Sequence, residues 1–136
     1  MARIEHITRE WMKPLIEPYG LSEAVRVGDL LHLAGQTGMD RQFQIVEGGL
    51  AAQAQQAFRN IREIVELAGG EVADLVHLTW YLAESPDGRL FMEDAMTVTA
   101  AREAVMPGVK PGSTAVRVKA LLTPEILIEI QAVAAL

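Results

Sequence analysis

Hydrophobic residues recur along this chain with two different periods, and the places where the period changes divide it into elements. Ala24-Val25-Arg26-Val27 and Leu30-Leu31-His32-Leu33-Ala34 flank Gly28-Asp29. A two-residue link of this kind closes a tight hairpin, because glycine takes a positive backbone angle at little cost. From Leu50 the step lengthens to three and four. Leu50, Ala54, Ala57, Phe58, Ile61, Ile64, Val65 and Ala68 form one stripe, with Gln53, Gln55, Arg59, Arg62 and Glu66 assigned to the other side. This is the pattern of an amphipathic helix, and Gly69-Gly70 supply its left-handed stop. Residues 75–83 read as a strand with Val76, Leu78, Trp80 and Leu82 on one face and His77, Thr79 and Tyr81 on the other. Residues 90–105 carry a weaker helical pattern, Phe91, Ala95, Val98 and Ala101 against Glu93, Thr97 and Arg102, ended by Pro107-Gly108. Two closing strands follow over about 113–121 and 126–134, and they are expected to pair as a hairpin. Residues 1–8 alternate weakly, with Ile4 and Ile7 as inward candidates, and residues 14–20 read as loop.

The order strand, hairpin, helix, strand, helix, strand pair predicts one α+β domain over residues 1–136, with two helices on one face of the sheet. The opposite face carries Leu127, Tyr81 and Val133. An apolar sheet face needs cover, and the simplest source is another copy of the chain, so a homo-oligomer is expected.

Charge narrows the partners. Twelve basic residues against eighteen acidic ones give a formal charge of −6, which disfavours a phosphate backbone and therefore a nucleic-acid partner. There is no cysteine, and His6, His32 and His77 lack metal-ligand spacing, so no metal site is expected. No stretch is apolar enough for a membrane span, and MARIEHITREW lacks the apolar core of a leader, which points to no membrane partner and to a cytoplasmic location.

Among residues able to do chemistry, Glu129 stands out as a carboxylate between Ile128 and Ile130. Partly desolvated at an interface, such a group holds its proton to higher pH and suits acid–base work near neutrality. Its structural alternative is an ordinary cross-strand ion pair. If the closing hairpin pairs residues summing to about 246, Arg117 lies opposite Glu129. The loop Gly35-Gln36-Thr37-Gly38 offers backbone amides to an anion or simply ends a strand. His77, Tyr81 and His32 fit packing roles, and Met92, Met96 and Met106 fit gap-filling.

Several stretches together resemble one family. SEAVRVGDLLHLAGQTGMD, the helix segment GGLAAQAQQAFRNIREIVELAGGEVADLV, then TWYLAE, KPGSTAVRV and IEIQAVA are similar to the RidA family, also called YjgF or endoribonuclease L-PSP-like, over about residues 22–134. The resemblance implies a chorismate-mutase-like α+β fold, a mixed sheet, a homotrimer with ligand clefts between subunits, and hydrolysis of reactive enamines and imines such as 2-aminoacrylate to keto acids and ammonia without metal or organic cofactor. It places the family's water-positioning glutamate on Glu129. The family's carboxylate-clamping arginine falls on Ser113, within Pro111-Gly112-Ser113-Thr114. A tyrosine before the first hairpin falls on Leu21, with Tyr19 nearby, a serine before Gly35 falls on Ala34, and an asparagine of the second helix falls on Thr99.

An arginine fork gives a carboxylate two charge-assisted hydrogen bonds of about 1.5–3 kcal/mol each. Losing both weakens binding by roughly a hundred- to ten-thousand-fold. A neutral or larger ligand held by Ser113, Thr114 and backbone amides therefore fits better than a small 2-imino acid. Two readings follow: a cofactor-independent hydrolase of the enamine/imine deaminase type with an altered substrate, or a homotrimeric module that binds a small molecule without turning it over. A ribonuclease conflicts with the acidic balance and the lack of a histidine pair.

Overall fold

A computed structural model describes residues 3–85 and 87–136. One six-stranded sheet organises them: β1 (Ile4–Ile7), β2 (Ala24–Val27), β3 (Leu30–Gln36), β4 (Leu75–Ala83), β5 (Gly112–Val118) and β6 (Ile128–Ala135). Their order across the sheet is β1-β2-β3-β6-β4-β5. Two long helices, α2 (Gly49–Leu67) and α3 (Phe91–Val105), cover one face. A short helical turn, α1 (Lys13–Ile16), flanked by 3-10 turns at Glu10–Met12 and Glu17–Tyr19, replaces the expected loop over residues 14–20.

The first hairpin forms as its sequence predicts, with Val27 opposite Leu30 across Gly28-Asp29 and Gly28 at φ +61°. The helix stripe is also as expected. Phe58, Ile61 and Ile64 are fully buried against Leu31, Leu78, Ile128 and Ile130.

The closing hairpin is not. β5 runs parallel to β4, and β6 lies between β3 and β4, antiparallel to both. The parallel register puts Arg117 beside Leu82 on the helix-covered face, where Nη1 donates to Asp94 of α3 at 2.8 Å. The proposed Arg117–Glu129 pair therefore does not exist. A central position suits β6, whose Ile128, Ile130, Ala132 and Ala134 are all buried, because a strand flanked on both sides keeps its backbone groups paired away from water.

Two smaller expectations also change. A register shift between Leu75 and His77 turns Val76 outward and brings Leu75 into the core. In β1, Ile7 packs against the core while Ile4 is exposed, since residues three apart in a strand lie on opposite faces. Among the described residues no helix is long and apolar enough to cross a membrane.

These placements separate two neighbouring positions. Leu78→Ala should cost about 2–5 kcal/mol in urea unfolding, whereas Val76→Ala should stay within about 0.5 kcal/mol. Comparable losses would contradict the register shift.

Candidate functional site

On the face away from the helices, β6 presents Glu129, Gln131 and Val133 beside Tyr81 and Thr79 of β4. Tyr81 lies directly opposite Glu129, and its Oη donates to Gln131 Oε1 at 2.7 Å. On its other side Glu129 rests on Gly35. A Cβ added to Gly35 would stand 2.6 Å from Glu129 Oε2, so only glycine leaves room for the carboxylate. Burial without any compensating donor pushes the Glu129 carboxyl above its ordinary value of 4.5. It is the half-buried carboxylate that the sequence reading singled out, now free of the expected arginine.

Gly35 and Leu21 meet again in a cavity of about 210 Å³ between the α1 turn and the end of β3. Its walls include Trp11, Leu15, Ile16, Leu21 and Ala34. Beneath them lies a buried polar cluster centred on Arg9, which is 6% exposed. Arg9 forks onto Glu23, with Nε to Oε2 at 2.9 Å and Nη2 to Oε1 at 2.7 Å. Its remaining N–H groups donate to Asn60 Oδ1 at 3.1 Å, Glu63 Oε2 at 2.8 Å and Gln36 Oε1 at 3.4 Å. Five donors thus meet five acceptors. Burial alone would lower the Arg9 pKa, but the hydrogen bonds and charges of Glu23 and Glu63 raise it. For Glu63, burial works upward and is outweighed by Arg9 and Arg41, which lower it.

Asn60 extends the cluster by donating from Nδ2 to the carbonyls of Thr37 and Met39, both at 3.0 Å, which fixes the chain just past Gly35. Gln53 does the same for β6. Its Oε1 accepts from the Leu127 N–H and its Nε2 donates to the Glu125 carbonyl, both at 2.9 Å. Gln53 is buried rather than on the outer side of α2, and it sets the strand start that delivers Glu129.

The other sequence candidates separate. Thr114 shares the open face with Thr79, two strands from Glu129. Ser113, beside Leu78, is on the opposite face. Strand spacing puts Ser113 about 10 Å away across the sheet, so one chain does not bring it to the Glu129 carboxylate. Thr99 lies on the exposed side of α3, where its hydroxyl donates to the Ala95 carbonyl at 2.9 Å. Tyr19 is exposed and does not line the cavity. The loop from Gly35 to Gly38 is shaped by close approach: a Cβ at Gly38 would stand 2.7 Å from the Gln53 Cα. An anion held at Gly35 would face the Glu129 carboxylate. Among the described residues no group of three or more His, Cys, Asp or Glu could hold a metal ion.

Arg9 and Glu23 had no signal in the sequence, since they act across 14 to 54 residues of chain. Gln53 and Asn60 had one. Each is spaced three residues after and four before members of the buried α2 stripe, at positions where apolar residues are expected.

Comparison with known proteins places the chain that carries this sheet and its half-buried carboxylate in a family. The chain belongs to the family described as Endoribonuclease L-PSP, whose model matches residues 13–136. It is 33% identical over 120 residues to a RutC family protein of Pyrococcus horikoshii, covering 88% of this chain and 87% of that one. It is 35% identical over 107 residues to a Mus musculus protein named 2-iminobutanoate/2-iminopropanoate deaminase, covering 78% and 73%. Among solved structures, RidA from the Antarctic bacterium Psychrobacter sp. PAMC 21119 superposes with a TM-score of 0.74 at 31% identity, covering 85% of this chain and 88% of that one. A member of the YjgF/YER057c/UK114 family from Mycobacterium tuberculosis gives 0.75 at 26% identity, covering 98% and 100%.

Two outcomes test the site. Arg9→Met should destabilise the fold by about 3–5 kcal/mol, because Glu23 stays buried without its partner, and the double change Arg9→Met with Glu23→Met should recover much of it; unfolding curves decide. For Glu129, the raised folded-state pKa means that the native chain holds its proton more tightly than the unfolded chain. Stability should therefore fall as pH rises from about the ordinary value of 4.5 through the folded-state pKa, then level off. In Glu129→Gln that fall should be missing from a pH series of unfolding midpoints.

Proposed function

We propose that the protein is a cofactor-independent hydrolase of reactive imines or enamines, acting as a homotrimer in a metabolite-repair role, with Glu129 as its general base. The observation that carries this reading is a carboxylate half-buried on an uncovered sheet face and, among the described residues, without a hydrogen-bond or ion-pair partner. Membership of a family that includes proteins named imine deaminases supports it. In the reaction, water adds to the C=N carbon as Glu129 takes a water proton, giving a carbinolamine. The nitrogen is protonated, the C–N bond breaks, and a carbonyl compound and ammonia leave. A carboxylate whose pKa stands above the ordinary value is a stronger base than an exposed one. Burial supplies that shift here.

Ser113 is two strands from Glu129 and on the other face of the same chain. A cleft using both therefore takes Glu129 and Gly35 from one copy and the β5 edge from a neighbour, with Ser113 and Thr114 as ligand contacts. This geometry motivates the trimer, as does the open face bearing Tyr81 and Val133; Leu127, expected on that face, packs against the core instead.

A second reading, a trimer that binds a small metabolite without turnover, is favoured by the family resemblance, which puts Ser113 where an arginine is expected. Turnover separates the two. Glu129→Gln should lower the catalysed rate of ammonia release from an enzymatically generated imine by about 10²- to 10⁴-fold. Equal rates for both proteins, no faster than buffer, would leave the binding module.

A further inference from the structure

Among the described residues Arg9 is the one guanidinium lining the cavity beside Gly35, and it is the obvious substitute for a missing carboxylate clamp. It is not free to act as one. Each of its five N–H groups already has an acceptor, and two of the acceptor groups are the carboxylates of Glu23 and Glu63. Arg117, the nearest arginine in sequence to Ser113, is committed to Asp94 and to the Ala83 carbonyl. A ligand carboxylate near Gly35 would meet Glu129 on one side and a cluster with no net positive charge on the other.

The cavity itself is suited to hydrocarbon. Trp11, Met12, Leu15, Ile16, Leu21 and Met39 form its apolar side, opposite the polar cluster around Arg9, and its volume is about 210 Å³. An apolar cavity of about 150 Å³ is enough to take benzene. Gly35 joins the two features: it lines the cavity and also touches the Glu129 carboxylate. A group reacting at Glu129 is therefore one residue away from the apolar space.

Resting on the hydrolase reading above, we infer that the substrate is a neutral imine or enamine without a carboxylate, bearing an aryl or branched-alkyl substituent that fills the Trp11–Leu15–Ile16–Leu21 cavity. The reaction is hydrolysis without redox change: R–CH=NH and water give R–CHO and ammonia.

The test uses the full chain and two imines made in situ. One is the neutral imine that a flavin monoamine oxidase forms from 2-phenylethylamine, and the other is 2-iminopropanoate, formed from D-alanine by D-amino acid oxidase. Ammonia release above the spontaneous rate should favour the phenyl-bearing neutral imine by at least about tenfold in kcat/KM, the scale on which pocket occupancy discriminates. Leu15→Trp, which fills the cavity, should abolish that preference. Ile16→Ala, which enlarges it, should shift preference toward a naphthyl-bearing imine and serves if the tryptophan variant does not fold. Saturation-transfer NMR with acetophenone provides a readout independent of turnover, with binding expected in wild type and in Glu129→Gln but lost in Leu15→Trp. Turnover of 2-iminopropanoate as fast as the aryl imine, unchanged by the cavity variants, overturns the inference while leaving the hydrolase intact. Acetophenone binding that obeys the cavity variants, with no turnover of either imine, keeps the cavity assignment and removes the hydrolase.

Discussion

A single buried cation, Arg9, ties together three separate parts of this fold. The Arg9 guanidinium is sequestered from water, and such a charge is tolerated only where every donor is matched and opposite charge is adjacent. Glu23, Asn60, Glu63 and Gln36 meet that demand from the start of β2, from α2 and from the end of β3. The consequence is positional. The segment before α1, the first hairpin and the long helix are locked to one another at the point where β3 gives way to the loop containing Gly38. Asn60 passes the constraint on to the carbonyls of Thr37 and Met39. The cavity wall is thereby fixed by a network whose members do not themselves have to touch a ligand.

The same end of the sheet holds Glu129, and its environment differs sharply from that of Glu23. Both carboxylates are removed from water to some degree. Glu23 is bridged by a fork of N–H donors, whereas Glu129 lies against a bare glycine and a tyrosine whose hydroxyl is turned to Gln131. Two chemically identical groups thus stand in opposite surroundings, one with both oxygens answered by donors and one left without a charge to balance it. Gln53 ties the two together structurally, since it holds the backbone that leads into β6 from the same helix that carries Asn60.

How much of this was legible in the sequence depended on the distance over which each residue acts. The Gly28-Asp29 hairpin, the α2 stripe and its glycine stop are local patterns, and they formed as read. Pairing between strands is not local. Nothing within residues 112–135 says that the last strand enters between β3 and β4, so a hairpin was expected where a parallel neighbour stands, and Arg117 was assigned to the wrong face. The Val76 position failed for a related reason, because a bulge shifts alternation by one residue without a mark in composition. Glu129 was visible as a charge in an apolar run. The Arg9 cluster was invisible because its partners lie up to 54 residues apart, although Asn60 and Gln53 interrupt an apolar stripe and could have been questioned.

The sheet order has a temporal side. The strand reached last along these elements is the one that completes the middle of the sheet, joining a β1-β2-β3 meander to a β4-β5 pair. Until residues 128–135 have been synthesised, both partial sheets carry a naked hydrogen-bonding edge with apolar neighbours, the arrangement most prone to pairing with a foreign strand. Acquisition of the native state is therefore gated by long-range closure, which is slow compared with helix formation.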